Sequence, residues 1–450
     1  MASLEVAPRP HEPSVAELDH RHLWHPFTQQ LDWCREDPLV IERAEGTSLT
    51  DSDGATYIDG VSSLWCNVHG HRHPMIDGAI REQLDRVAHS TLLGLTHAGA
   101  AQLAGRLVDL APDGLTRVFY SDSGSTATEI ALKAAFQYWR QRGGRDAKRT
   151  GFVSLREAYH GDTLGAVSAG GIDLFHGAYE PLLFSTHQVE PGDEAELERV
   201  LQRHDGEIAA MIVEPLVQGA AGIRVQPPGY LRRARELCDD HDVLLICDEV
   251  ATGFGRTGTM FACEQEGVSP DFLCLGKGLT GGYLPLAATL TTERVYEGFL
   301  GGPEEARTFF HGHTFTGNPL ACSAALASLD VFETERTLER LEPKISLLGG
   351  LLASVSEMPE VAEVRNRGFM VGIDLGDHDP ALKLGHRVAL EARRRGAIIR
   401  PLGDVVALMP PLAISEADLR RLVAITADAV RAACDAAVGE QPTDELAQAA

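Results

Sequence analysis

The sequence predicts an α/β fold, with a large domain built on a mostly parallel sheet and a smaller α+β domain made from both chain ends. Three observations carry this reading. Between about His71 and Ala325, short apolar runs alternate with helically patterned stretches, as in RVFYSD, AAMIVEP, YLRRARELCDDHD and VLLICDEV, and such alternation marks βαβ units. VLLICDEV is itself continuously apolar and ends in two acids. That pattern fits a strand buried on both faces, with its acids at the carboxyl edge where open α/β sheets bind ligands. Finally, 450 residues exceed what one ordinary core holds.

In chain order, residues 1–20 (MASLEVAPRPHEPSVAELDH) contain three prolines and no apolar block, and read as a flexible arm rather than a signal peptide or anchor. Residues 21–70 are assigned to the small domain, and PLVIERAEGTSLTDSDGATYIDG within them is expected to pair with strands of the C-terminal half. Residues 71–325 make the expected large domain. From 326 to 438 the texture changes to helices with the short strands FMVGIDL, AIIRP and VVALMPP. Ser415 and Asp418 form a capping box there, ahead of a helix with Leu419, Leu422, Val423 and Val430 on one face. Residues 439–450 are a polar tail.

Composition narrows the function classes. Hydrophobic residues at 44% and charged residues at 23% are those of a folded globular enzyme. A net charge of -25 argues against nucleic acid or an anionic membrane as partner, so an anionic ligand must be captured by local design. No run of 18 apolar residues offers a transmembrane helix. The eight cysteines show no C-x-x-C spacing, which fits buried free thiols in a reducing cytoplasm.

Three local patterns carry chemistry. Ser121-Asp122-Ser123-Gly124-Ser125-Thr126 lies between the strand RVFY and a helix with Ile130, Ala131, Ala134, Ala135 and Tyr138 at helical period. Free N–H groups, small side chains and the dipole make an anion site at such a helix start, although taken alone an ordinary helix cap is the better reading. Asp248, at the end of a buried strand, needs a cation to be tolerated. A pyridinium nitrogen is such a cation, and holding it protonated keeps the ring an electron sink. Lys277, 29 positions further on, lies between Gly276 and Gly278 after the apolar DFLCL. Burial there would lower its pKa, as covalent amine chemistry requires; a lone lysine would read as a surface residue.

Two other patterns compete. Gly253-Phe254-Gly255-Arg256-Thr257-Gly258 matches G-x-G-x-x-G, with Asp271 spaced as a ribose acid would be, which raises a nicotinamide-dependent oxidoreductase. Against it, two acids separate strand from glycines and only a short helical stretch precedes Pro270. His69, His71 and His73, and again His311 and His313, recur at spacing two; with no acidic cluster beside them they read as tight-loop residues, and no metal is assigned. A non-catalytic descendant of the fold would have lost Lys277 or Asp248, and both are present.

With DEVATGFGRTG, LGKGLTGGYLPLAATL and HGHTFTGNPLACSAAL, the chain resembles the class III aminotransferases of fold type I from about residue 22 to residue 412. The resemblance implies pyridoxal 5'-phosphate bound in the large domain, held covalently by Lys277 and at its ring nitrogen by Asp248. It implies Gly124 and Ser125 at the phosphate, with Thr314 supplied by the neighbouring subunit of a homodimer whose sites lie at the interface. Tyr159 in AYHGD would stack on the ring, and Glu214 in VEPLVQGA would lie near the cofactor. The elements HLWHPFTQ (from His22) and SSLWCNVHGH (from Ser62) are similar to the biotin-synthesis branch. That branch implies 8-amino-7-oxononanoate as acceptor, with Arg400 on its carboxylate, Trp65 along its aliphatic chain, and Phe27 and Gly312 beside the substrate. A guanidinium fork suits that carboxylate, though an interdomain ion pair would also account for Arg400.

For the amino donor the resemblance implies S-adenosylmethionine, the family default, or L-lysine: Phe27 stands where the usual HPYT has tyrosine, and Leu64 where many members have a second tryptophan, a pattern similar to the lysine-using members. Asp404 could meet a donor cation or sit in a solvated turn. Another class III reaction, such as ω-amino-acid:pyruvate transamination, is the alternative.

Overall fold

The computed structural model describes residues 13–440. Its central element is a seven-stranded sheet in the order Leu115–Ser121, Ala287–Thr292, Phe272–Leu275, Leu244–Asp248, Ile208–Val213, Gly151–Leu155, His187–Val189. The sheet is parallel except for Ala287–Thr292, which runs antiparallel to both neighbours.

Its central strands, Ile208–Val213, Leu244–Asp248 and Phe272–Leu275, are buried and apolar up to the terminal Asp248 because both faces are covered. Leu245, Cys247, Met211 and Val213 face one core, with Leu103, Leu107, Leu197, Leu201 and Leu231 of flanking helices. The alternate residues Leu244, Ile246, Ala210 and Ile212 face a second core, packed by Ala127, Ala131, Ala135, Tyr138 and Trp139 of the helix Gly124–Arg142. The period-two split between two cores is why VLLICDEV shows no alternation in sequence.

Two smaller sheets join distant chain segments. Ile41–Glu45, Ser48–Asp51 and Thr56–Asp59 form one sheet with Ala397–Ile398, which pairs in parallel with Ile58 and Asp59. The pairing expected between the two chain ends is therefore made at this edge. The other sheet has the order Glu363–Arg367, Met370–Asp374, Val405–Leu408, Arg400–Leu402. Ser415 opens the long helix Glu416–Glu440, its Oγ accepting from Asp418 N at 3.0 Å.

Several expectations need correction. Val15–His22, read as part of a flexible arm, is a helix with a capping box between Ser14 and Glu17. Residues 1–12 of that arm lie outside the described residues, as do positions 441–450 of the polar tail. The helix Pro319–Thr334 runs through position 325, where the sequence suggested a change of domain. Cys34 is exposed rather than buried, while all eight cysteines are free thiols. Among the described residues, no helix is long and apolar enough to cross a membrane.

Candidate active site

Six parallel strands end at one edge of the large sheet, at Ser121, Leu155, Val189, Val213, Asp248 and Leu275. The loops leaving that edge carry Gly124 and Ser125, Tyr159, Glu214, Asp248 and Lys277. Topology thus gathers residues up to 153 positions apart in the chain.

At the first loop, Ser123 caps the helix Gly124–Arg142 through its Oγ and Thr126 N (3.3 Å). The N–H groups of the first turn have no partner inside a helix, which leaves them to an anion. A side chain at Gly124 would place its Cβ 2.4 Å from Val250 Cγ1. Ser125 Oγ accepts from Thr163 N and donates to Thr163 Oγ1, each at 3.0 Å. Gly161, with φ of +119°, closes over this turn: a Cβ there would lie 2.3 Å from the Ser125 side chain.

Asp248 is 4% exposed. Its Oδ1 accepts from Val250 N (3.1 Å), and its Oδ2 lies 2.8 Å from Nδ1 of His160. Nε2 of His160 is buried without a partner. Sequence reasoning missed His160; its only signal was adjacency to Tyr159 in AYHGD.

Lys277 begins a 3-10 turn with φ of 39°, a left-handed conformation uncommon for a side-chain-bearing residue. A Cβ on the preceding Gly276 would come 3.3 Å from Gly124 Cα, so the lysine turn and the anion turn pack backbone to backbone. Among the described residues no carboxylate pairs with the Lys277 amine; its Nζ sits 4.5 Å from the centroid of the Trp65 ring. Burial lowers its pKa, opposed by the charges of Asp248 and Glu214.

Glu214 is buried, accepting from Tyr159 N (3.2 Å) and Gly219 N (2.9 Å). Its pKa is pushed up to about 7, first by burial and then by Asp248, with His160 opposing. Tyr159 donates its hydroxyl to Asp162 Oδ2 (2.8 Å), and burial followed by this bond raises the phenol. Its ring lies edge-on to Phe27 and Phe175, at 6.4 and 6.3 Å between centroids. Phe27 is exposed, with φ of 48°, and Phe175 and Asp162 are neighbours that sequence reasoning did not select.

Trp65 is 7% exposed and its Nε1 is buried without a partner. It ends a turn in which Ser62, Ser63, Leu64 and Trp65 have φ of 48°, 40°, 71° and 74°. Left-handed backbone costs about 1–2 kcal/mol for each such residue, so four in succession persist only where surrounding contacts impose them.

Three expected site residues stand apart from this cluster. Gly312 and Thr314 are exposed in the loop before the helix Pro319–Thr334, near the anion turn only through His313, whose Nδ1 is 4.0 Å from Asp122 Oδ2. Arg400 opens a short edge strand, half-buried, and among the described residues it has no ion-pair partner. Among those residues, then, no interdomain ion pair accounts for it. Asp404 instead accepts from Gly385 N (3.3 Å) at the start of the helix Leu384–Arg394.

The competing patterns dissolve in the fold. Residues 251–257 form consecutive turns instead of opening a helix, and Asp271 is held by Arg235 (2.8 Å) and Leu245 N (2.8 Å). A dinucleotide therefore finds neither a helix N-terminus nor a free ribose acid there. His69, His71 and His73 bond separately to Ser328, Asp59 and Glu335. Burial lowers the His69 pKa to about 3. Among the described residues no cluster has the makings of a metal site.

Whether pyridoxal phosphate fits can be judged from these groups alone. The anion turn tolerates no Cβ at Gly124, the Lys277 amine is buried with no ion-pair partner among the described residues, and the Asp248 carboxylate is buried against the His160 imidazole and Val250 N. A phosphate, an aldehyde carbon and a protonated ring nitrogen meet those needs in turn, and this is a fold type I pyridoxal-phosphate enzyme.

Comparison with known proteins narrows the class. Residues 33–430 match the family model described as aminotransferase class-III, and the chain belongs to that family. Over 433 residues it is 59% identical to the adenosylmethionine-8-amino-7-oxononanoate aminotransferase of Nitratidesulfovibrio vulgaris, covering 91% of this chain and 80% of that one. The crystal structure of the enzyme of that name from Methanocaldococcus jannaschii superposes with a TM-score of 0.91 at 45% identity, covering 93% and 98% of the two chains. An amine transaminase from an uncultivated Pseudomonas species, solved with pyridoxal phosphate bound, gives 0.85 at 38% identity, covering 92% and 99%. Pyridoxal phosphate is the cofactor, and the protein is an aminotransferase.

Proposed function

We propose that the protein transfers an amino group onto the 7-keto carbon of 8-amino-7-oxononanoate, giving 7,8-diaminononanoate for biotin synthesis. The observation that carries the acceptor is Arg400, a guanidinium with no ion-pair partner among the described residues, in a chain of net charge -25. Such a cation suits a carboxylate end group, and the relatives' names specify that acid. The names also specify S-adenosylmethionine as donor. L-Lysine is the second reading, because Phe27 presents no hydroxyl toward Tyr159 and Leu64 is exposed where a tryptophan would wall the site.

Bound pyridoxal phosphate supplies an electron sink for the carbanion left at the donor's Cα. Gly124 and Ser125 would hold its phosphate, Asp248 its ring nitrogen, Lys277 its carbonyl carbon, and Tyr159 would cover the ring face. The Lys277 amine, of lowered pKa, takes the proton from the donor's Cα and later returns one to the acceptor's C7. His160 orients the Asp248 carboxylate. Glu214, whose carboxyl burial pushes up to about 7, adds less than a full second negative charge beside Asp248 at neutral pH.

Gly312 and Thr314, exposed in the single chain, are assigned to a homodimer in which Thr314 reaches the partner's phosphate site. A cytoplasmic location accompanies this biosynthetic role. Purified enzyme given the oxononanoate with S-adenosylmethionine, L-lysine or L-alanine in separate reactions decides both questions. Diamine from one of the first two names the donor, and diamine from none of the three removes the acceptor.

A further inference from the structure

The left-handed turn at Ser62–Trp65 gives the core one large side chain: Ser63 and Leu64 are exposed, and Trp65 is buried in a cluster with Leu216, Val217 and Met409. What holds this turn is Asp59, the fully buried last residue of the strand Thr56–Asp59. Its Oδ1 accepts from Ser63 N (2.9 Å) and Val61 N (3.3 Å). Its Oδ2 accepts from Ser63 Oγ (2.9 Å) and lies 2.9 Å from His71 Nε2. Asn67 Nδ2 donates to His71 Nδ1 (2.8 Å), which leaves the proton of that ring on Nε2, directed at Asp59. On the far side, Ser62 Oγ donates to Met409 O (2.6 Å) and accepts from Arg256 Nη2 (3.3 Å).

The result of this clamping is the placement of one indole. Trp65 lies against Gly219, where a Cβ would come 3.2 Å from its Cζ3, and presents its ring to Lys277 Nζ at 4.5 Å. A right-handed turn over the same residues would be free of strain but would point Trp65 elsewhere.

We propose that Asp59 is a positioning residue of the transamination: by imposing the left-handed turn at Ser62–Trp65, it fixes the indole face against the Lys277 amine. The inference rests on Lys277 as the cofactor-binding lysine.

The test uses full-length holoenzyme labelled with 5-fluorotryptophan, whose four tryptophans give four ¹⁹F resonances, that of Trp65 being assigned by its loss in Trp65→Phe. In Asp59→Asn the Trp65 resonance should move toward the solvent-exposed range while the other three stay. Its kcat should fall roughly 10- to 100-fold, the scale set by misplacing an active-site group by about an ångström. Adding Leu64→Gly should return the resonance and most of the kcat, because glycine adopts the φ of 71° seen there without strain. Loss of a general fold anchor would gain nothing from a glycine in the turn.

An unmoved Trp65 resonance in Asp59→Asn, or no recovery with Leu64→Gly, overturns the proposal. Should Asp59→Asn not fold, Ser63→Ala removes one bond from an exposed side chain, and a still resonance there overturns it equally. The resonance reports on the indole whether or not Lys277 carries the cofactor; that assignment fails separately, through an active Lys277→Ala enzyme.

Discussion

Nδ1 of His160 lies 2.8 Å from Oδ2 of Asp248, in a place where neither side chain meets water. The imidazole occupies one carboxylate oxygen from behind and leaves the other, Oδ1, with a backbone donor at 3.1 Å. A charged hydrogen bond of this kind contributes about 1.5–3 kcal/mol. His160→Ala should therefore weaken pyridoxal phosphate binding on the order of 10- to 100-fold, measured by absorbance titration of cofactor-free enzyme. Unchanged affinity would mean that Asp248 is oriented by the backbone alone.

Lys277→Ala should abolish turnover and the visible absorbance band of the covalently held cofactor while leaving the thermal transition in place. The amine has no ion-pair partner among the described residues, so its removal strands no buried countercharge in contact with it. An active, yellow variant would refute the role given to Lys277.

Gly124→Ala tests the anion turn by volume. The added methyl would lie 2.4 Å from Val250 Cγ1, and such overpacking costs about 1–3 kcal/mol. Strain at that point opens the turn, so cofactor should dissociate faster during gel filtration while the protein stays folded. Retention equal to the parent enzyme would place the phosphate elsewhere.

Glu214 makes stability depend on pH in a defined direction. Its folded pKa of about 7 exceeds the ordinary 4.5 because burial penalises the carboxylate. The folded cofactor-free protein thus binds the proton more tightly than the unfolded chain. This contribution is fully present below pH 4.5 and is lost as pH rises to about 7. Its size is on the order of 3 kcal/mol. Glu214→Gln should flatten that part of the denaturation profile, and an unaltered slope in urea melts would assign it to other groups.

Arg400→Ala should raise KM for the oxononanoate on the order of 10- to 100-fold, the worth of a charged bidentate contact, with a much smaller change for the donor. Equal changes for both substrates in steady-state kinetics would give Arg400 another purpose.

The large sheet and three of its candidate functional groups were legible in the chain because each is a local pattern. An apolar strand with a terminal acid, a lysine between glycines and a Ser/Gly turn at a helix start each carry their own physics over a handful of residues. Even the decoy glycines at 253–258 were separable by what stood beside them. Less legible was everything set by contacts between distant positions. His160 is 88 residues from Asp248, and Ser62 is 347 residues from the Met409 carbonyl it bonds. No window of sequence contains such a pair.

The sequence by itself singled out the candidates for the chemistry, one acid, one amine and one anion turn, and a family resemblance that the comparisons bear out. Only tertiary structure decided how those groups are held. It placed an imidazole against Asp248, reversed the strand Ala287–Thr292, turned Asp404 toward a helix start and forced four side-chain-bearing residues into left-handed backbone beside Lys277. Local patterns reflect what a residue prefers. The strained turn shows what long-range hydrogen bonds impose against that preference, and such imposition is not written in neighbouring residues.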